Sequence, residues 1–206
     1  MIPAIVLAAG ASTRMGTPKA LLPDPDGRSF VARVVGTLQT AGLADIVVVA
    51  GVAFDELVAA INADGARPGV RVVRNPEPAR GQLSSLLVGM DVVAADSEAV
   101  MVTLVDIPLV SVTTVRSIAA AWQARRAAIV RPAMGERHGH PVIFDRRLFA
   151  ALRAAPPGEG AKRVVRDYGG EVEDVAVNDE GCLADVDTPE DYATLTRSTR
   201  PDITPV

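Results

Sequence analysis

Aromatic residues are scarce, at 3% of 206 residues, so any core must be built from valine, alanine, leucine and isoleucine. Such a core suits strands buried on both faces. The single cysteine, Cys182, excludes an intramolecular disulfide and offers no metal-ligand spacing of thiols. It reads as a buried strand residue, because nothing adjacent would activate it as a nucleophile. No apolar stretch approaches the roughly 18 residues of a membrane span. The start Met1-Ile2-Pro3 lacks a basic leader, so no membrane association and a cytoplasmic location are expected. With a formal net charge of -4 and no long basic run, the chain offers no surface for a nucleic-acid backbone. The pair Arg125-Arg126 ends a predicted helix, where cations complement the helix dipole.

What is present is an ordinary globular balance, 49% hydrophobic and 22% charged. A single domain of this length is expected to bury roughly 70% of the surface its unfolded chain exposes. Residues 4–9 (AIVLAA) form an apolar run that stops at Gly10, as a strand feeding a loop would. A helix is predicted next, with Val31, Val34, Val35 and Leu38 on one face, Ser29 as N-cap and Gly42 just past its end. The alternation continues. Strands are predicted at 46–50, 70–73 and 99–104. Between and after them come helices carrying Phe54, Leu57, Val58 and Ile61, then Leu83, Leu86, Leu87 and Met90, then Val112, Val115, Ile118 and Trp122. This rhythm predicts a mostly parallel sheet with helices on both faces. After residue 127 it changes: AAIVRP and HPVIF read as strands joined by a hairpin-like excursion, followed by short helices at 145–154 and 160–168. Strands are expected at 171–177 and 182–186, then a last helix opening at Thr188-Pro189-Glu190. The domain is expected to end at 197, leaving 198–206 as a disordered tail.

The most informative segment is VLAAGASTRMGTPK, residues 6–19, directly after the first strand. In an open parallel sheet, ligands bind beyond the carboxyl ends of strands. Around Leu7, the small residues Ala8, Ala9, Gly10, Ala11 and Ser12 let backbone amides approach an anion closely, while Arg14 and Lys19 add charge-assisted donors. The combination suits a triphosphate. A P-loop is excluded because Thr17 and Pro18 separate Gly16 from Lys19. The glycine pair Gly10 and Gly16 also lacks the GxGxxG spacing of a dinucleotide fingerprint.

Two further segments complete the pattern: an aspartate closes the apolar strand in TLVDIPLV (103–110), and LADVDTPEDY (183–192) supplies more acids. Asp106 would stand at the carboxyl edge of the sheet, where a carboxylate can hold Mg2+ against phosphate oxygens. Mg2+ commonly uses one or two protein carboxylates, so a second acid is chemically expected. Strand alternation would put Asp185 and Asp187 on one face, leaving the choice open; Asp187, nearer the strand end, is favoured.

In order and spacing, LAAGxSxRMGxxK, DIPLV and DVDTPED resemble the nucleotidylyltransferases of the molybdenum cofactor group, within the MobA-like NTP transferase family. The likeness runs from the first strand to about residue 197. It lies nearer the cytidylyl branch, because LAAG stands where the guanylyl branch usually has LAGG. The resemblance implies the Rossmann-like, three-layer fold of the nucleotide-diphospho-sugar transferases, with a mixed, mostly parallel sheet. It implies Mg2+ dependence, phosphate contacts from Arg14 and Lys19, and return of the 183–192 segment to the active-site edge.

In NPEPARGQLSSLLVGM (75–90), the resemblance places Gly81, Gln82, Ser84 and Ser85 over the base and ribose. The amide of Asn75 can offer both donor and acceptor to a nucleobase. A similar Gly139-His140-Pro141 element suggests that the hairpin lines the acceptor side; His140 could touch an acceptor phosphate or simply pack. Lys162, Arg163 and Arg166 read as a solvated face.

The expected substrates are an NTP, with CTP favoured, and a phosphorylated small molecule, with molybdopterin favoured. The product would pass to a molybdoenzyme or its maturation factor. The rival readings are a nucleotidylyltransferase for a sugar or hydroxy-acid phosphate, a glycosyltransferase, and a non-catalytic accessory protein that presents a cofactor.

Overall fold

Strand β1 (Ala4–Ala8) is buried at every position, as is β2 (Ile46–Ala50), the pattern of strands covered on both faces. The computed structural model of the chain describes residues 2–10, 16–65 and 68–198, and builds an eight-stranded sheet from them. β3 (Val70–Arg74), β2, β1 and β4 (Ala99–Leu104) lie side by side and parallel. β7 (Val142–Asp145) then runs antiparallel between β4 and β5 (Ile129–Met134). The two-residue β6 (Arg137–His138) folds back on the end of β5, and β8 (Val172–Ala176) pairs β5 in parallel. The sheet is therefore mixed and mostly parallel, as expected, with the antiparallel β7 supplied by the hairpin excursion.

Period-2 alternation divides the core. Ala4, Val6, Val48 and Ala50 meet α1 (Phe30–Ala41), α2 (Phe54–Ala63), α4 (Val112–Arg125) and α7 (Pro189–Ser198) on one face. Ile5, Leu7, Val47 and Val49 meet α3 (Gln82–Val92), α5 (Phe149–Ala154) and α6 (Ala161–Asp167) on the other. α1 shows how its sequence sets it: the Ser29 hydroxyl accepts from the Ala32 amide, and Gly42 ends the helix at a φ of 103°. Its buried face of Phe30, Val31, Val34, Val35 and Leu38 adds roughly 1.5–3 kcal/mol per side chain from burial. In α4 the one tryptophan is buried at the sheet, with its indole N–H donating to Asp145 at 3.2 Å.

The 182–186 stretch corrects the sequence reading. It is not a strand: a 3-10 turn spans Glu180–Cys182, and an irregular path runs to α7. The reason is local turn chemistry, since the Asp179 carboxylate accepts from the Gly181 amide at 3.1 Å and closes the chain into a turn. Cys182 is buried all the same, and burial pushes its thiol up to about 11, far from thiolate chemistry at neutral pH. Of the expected tail, Ser198 ends α7 and residues 199–206 lie outside the described residues. Among the described residues, no helix is long and apolar enough to cross a membrane.

Candidate active site

Going outward from β1, strand order runs to β2 and β3 on one side and to β4 on the other, so a crevice opens above the carboxyl ends of β1 and β4. Leu7 pairs in register with Leu104, which brings the two departing loops side by side. Glycine is required next to them: a Cβ on Gly51 would stand 2.8 Å from the Ala9 carbonyl oxygen. A cavity of roughly 300 Å3 occupies the crevice. It is lined by Leu7 to Gly10 at the end of β1, by Pro18 and Lys19, by Gly81, Gln82 and Ser85 at the start of α3, and by Asp106 and Asp187.

Lys19 joins the two acids. Pro18 precedes a 3-10 turn, Lys19–Leu21, which presents the ammonium to the sheet edge. Lys19 Nζ lies 3.4 Å from Asp106 Oδ2 and also ion-pairs with Asp187 Oδ1. Burial raises the pKa of Asp106; the Asp187 charge adds to the rise and Lys19 opposes it. Asp106 Oδ1 is buried and meets no hydrogen-bond donor among the described residues. Two carboxylates that share one ammonium, with one oxygen unsatisfied, are a donor set that fits a hard divalent cation completed by phosphates and water. Among the described residues there is no cluster of three or more acidic, histidine or cysteine side chains to hold a metal without such outside ligands. Asp185, the alternative second acid, is exposed and is not part of the cavity wall.

The 75–85 loop divides in two. Gly81, with φ of 94°, turns the chain into α3, so that Gln82 and Ser85 face the cavity. Asn75 does not reach it. Only 3% exposed, its side-chain amide donates to the Ser84 and Ser85 hydroxyls at 2.9 Å each, and its oxygen accepts from the Glu77 amide at 2.9 Å. The Asn75 side chain thus pins the end of β3 to the first turn of α3. Ser84 lies with it on the wall of a separate depression, and its hydroxyl donates to the Gly81 carbonyl at 2.8 Å.

His140 also stands outside the cavity wall. Its amide donates to the Cys182 carbonyl at 2.9 Å, and its ring Nδ1 lies 3.4 Å from the Val102 carbonyl oxygen. Burial holds the ring below the usual histidine range, in the neutral form. Ser12 and Arg14 lie outside the described residues. Sequence reasoning missed Pro18, Pro78 and Val105, which also line the cavity. It missed Asp179 too, although the run Asn178-Asp179-Glu180-Gly181 carries the signal of a side-chain-closed turn.

Comparison with known proteins agrees with this geometry. Residues 4–173 match the model of the MobA-like NTP transferase domain. Nicotine blue oxidoreductase of Paenarthrobacter nicotinovorans is 33% identical over 193 residues, covering 90% of this chain and 92% of the relative. Molybdenum cofactor cytidylyltransferase of Escherichia coli is 25% identical, with 94% of each chain covered. Rv0371c of Mycobacterium tuberculosis H37Rv superposes with a TM-score of 0.80 at 32% identity, covering 96% of this chain and 98% of the other. A second crystal structure of that protein, in complex with manganese, gives 0.76 at 29% identity over the same shares. The cavity at the β1–β4 crevice, its lysine and two aspartates, and the 170-residue match together place the chain: it belongs to the MobA-like NTP transferase domain family.

Proposed function

We propose that this chain transfers the nucleoside monophosphate unit of an NTP, with CTP preferred, to the phosphate of molybdopterin or a closely similar small molecule. The observation that carries the reading is the placement of Lys19 between Asp106 and Asp187 at the mouth of the crevice. An acceptor phosphate oxygen attacks the α phosphorus, the bond from that phosphorus to the bridging oxygen of the β phosphate breaks, and pyrophosphate leaves. The acceptor phosphate is already ionised near neutral pH, so the site needs no general base, and positioning with charge stabilisation suffices. Lys19 and the amides after β1 hold the leaving phosphates, with Arg14 assigned to the same task. Asp106 and Asp187 would hold Mg2+, which would supply charge neutralisation for the phosphate oxygens. Gln82 and Ser85 face the base and ribose.

The preference for CTP rests on Ala9, which lines the cavity; its methyl would narrow the space beside a bound base where a glycine would leave more room. One methyl discriminates by roughly 1–3 kcal/mol, so preference is expected and absolute rejection of GTP is not. The test is pyrophosphate release across the four NTPs with isolated molybdopterin as acceptor and Mg2+ present. Release with CTP foremost supports the reading, and predominant GMP transfer would overturn the cytidylyl assignment alone. A redox reading is suggested by the name of the 33% identical relative. It is disfavoured by the β1 loop, whose glycines lack dinucleotide spacing. Oxidation of a reduced nicotinamide cofactor without pyrophosphate release would install it instead.

A further inference from the structure

The chain from Asp179 to Asp187 crosses the carboxyl edge of the sheet without pairing as a strand, yet it delivers Asp187 to the cavity. Its path is held at several points. The His140 amide donates to the Cys182 carbonyl, and the Val186 amide donates to the Asp106 carbonyl, both at 2.9 Å. Glycines let it pass between its neighbours: a Cβ on Gly181 would run into the Leu109 carbonyl, and one on Gly139 into the Cys182 carbonyl.

Besides these backbone bonds, a side chain holds the segment at its start. Asp179 Oδ2 accepts from the Ser111 amide at 2.9 Å and from the Thr114 hydroxyl at 2.6 Å, while Oδ1 accepts from Gly181 at 3.1 Å. α4 does not need this carboxylate as its cap, because the Ser111 hydroxyl already accepts from the Thr114 amide at 3.1 Å. What Asp179 adds is a tie from the crossing segment to the N-terminal turn of α4. That turn directly follows the loop that carries Asp106 out of β4.

We propose that Asp179 is a positioning residue for Asp187: by anchoring the crossing segment to α4, it sets how closely the Asp187 carboxylate approaches Asp106. The inference rests on the reading that these two acids hold the cation. Asp179 itself stays outside the cavity wall.

The test uses the full chain and three variants, Asp179→Ala, Thr114→Val and Asp187→Asn. Thr114→Val removes the 2.6 Å bond to Asp179, together with the 3.1 Å bond that the Ser111 hydroxyl donates to Thr114, leaves the Asp179 bonds to the Ser111 and Gly181 amides, and covers the case in which Asp179→Ala does not fold. Mn2+ binding is titrated by electron paramagnetic resonance with a non-hydrolysable CTP analogue present, and kcat and KM for CTP are measured beside it. Loss of a partner that orients a metal ligand typically costs about 10- to 100-fold in metal affinity or activity. Asp179→Ala is expected to weaken Mn2+ binding and kcat in that range, with KM for CTP changed less than about threefold; Thr114→Val moves both in the same direction by less. In the Asp187→Asn background, Asp179→Ala adds no further loss. Folded variants with parental Mn2+ binding, or losses that add fully to those of Asp187→Asn, would overturn the proposal. If Asp187→Asn alone leaves Mn2+ binding and turnover at parental values, the assignment of the two acids has failed, and the positioning role falls with it.

Discussion

Replacing Asn75 with alanine separates two roles for a residue that sequence reasoning assigned to the nucleobase. In the structure its side chain makes three hydrogen bonds of 2.9 Å, to Ser84, Ser85 and Glu77, and it is 3% exposed. Each bond contributes about 1 kcal/mol net. Truncation also strands the Ser85 hydroxyl, itself 4% exposed, at a further cost of about 1–3 kcal/mol if no water enters. Water can replace the bond to the more exposed Ser84, so the expected loss is about 2–5 kcal/mol. At roughly 2–4 °C per kcal/mol for a chain of this size, Tm should fall by about 4–20 °C. KM for CTP should rise only a few-fold, through looser placement of Ser85 in the cavity wall. Thermal unfolding by calorimetry and steady-state kinetics on the same preparation provide both numbers. An unchanged Tm with KM raised about tenfold or more would refute the structural role and return Asn75 to the base.

Burial raises the pKa of Asp106, so the folded protein holds that proton more tightly than the unfolded chain. The favourable effect is therefore complete below the ordinary value of 3.8 and is lost as pH rises through the raised folded value, leaving ionised Asp106 a net cost at neutral pH. Asp106→Asn should accordingly raise the Tm of the metal-free protein at pH 7, with the difference shrinking towards pH 3, while turnover falls by several powers of ten; a lower Tm at pH 7 would mean that the Lys19 ion pair outweighs burial. Lys19→Ala should weaken CTP binding by about 10- to 100-fold, the worth of a charge-assisted hydrogen bond, and CMP binding far less. Calorimetric titration with both nucleotides decides it, since equal losses would place the ammonium away from the leaving phosphates. The same substitution should tighten Mn2+ binding in the absence of nucleotide, because the ammonium no longer competes for Asp106 and Asp187.

The alternating layers were legible because the signals are local. Runs such as IVVVA have one stable environment, and the 3.6-residue spacing of Val31, Val34, Val35 and Leu38 has one buried face. Ser29 and Gly42 marked the ends of α1 for reasons that lie within the helix. That Lys19 and Asp106 come together at the crevice was legible because strand ends point there wherever the sheet is parallel. The antiparallel seat of β7 between β4 and β5 was not, since it depends on pairing between strands far apart in sequence. The 182–186 stretch misled for a related reason: its residues suit a strand, but Asp179 closes a turn before them and no neighbouring strand takes them up. The partners of Asn75 were not legible, since its burial and its bonds to Ser84 and Ser85 follow from the packing of α3 against the end of β3.

The central claim, that the α-phosphoryl group of an NTP passes to a phosphorylated acceptor, is tested most directly by following labelled phosphates. CTP labelled at the α position and CTP labelled at the γ position are offered separately with molybdopterin and Mg2+, and products are resolved by chromatography. The α label should enter the acceptor product and the γ label should appear only in pyrophosphate, with both transfers lost in Asp106→Asn. γ label in the acceptor, or retention of both labels in CTP while the acceptor is consumed, would contradict the account.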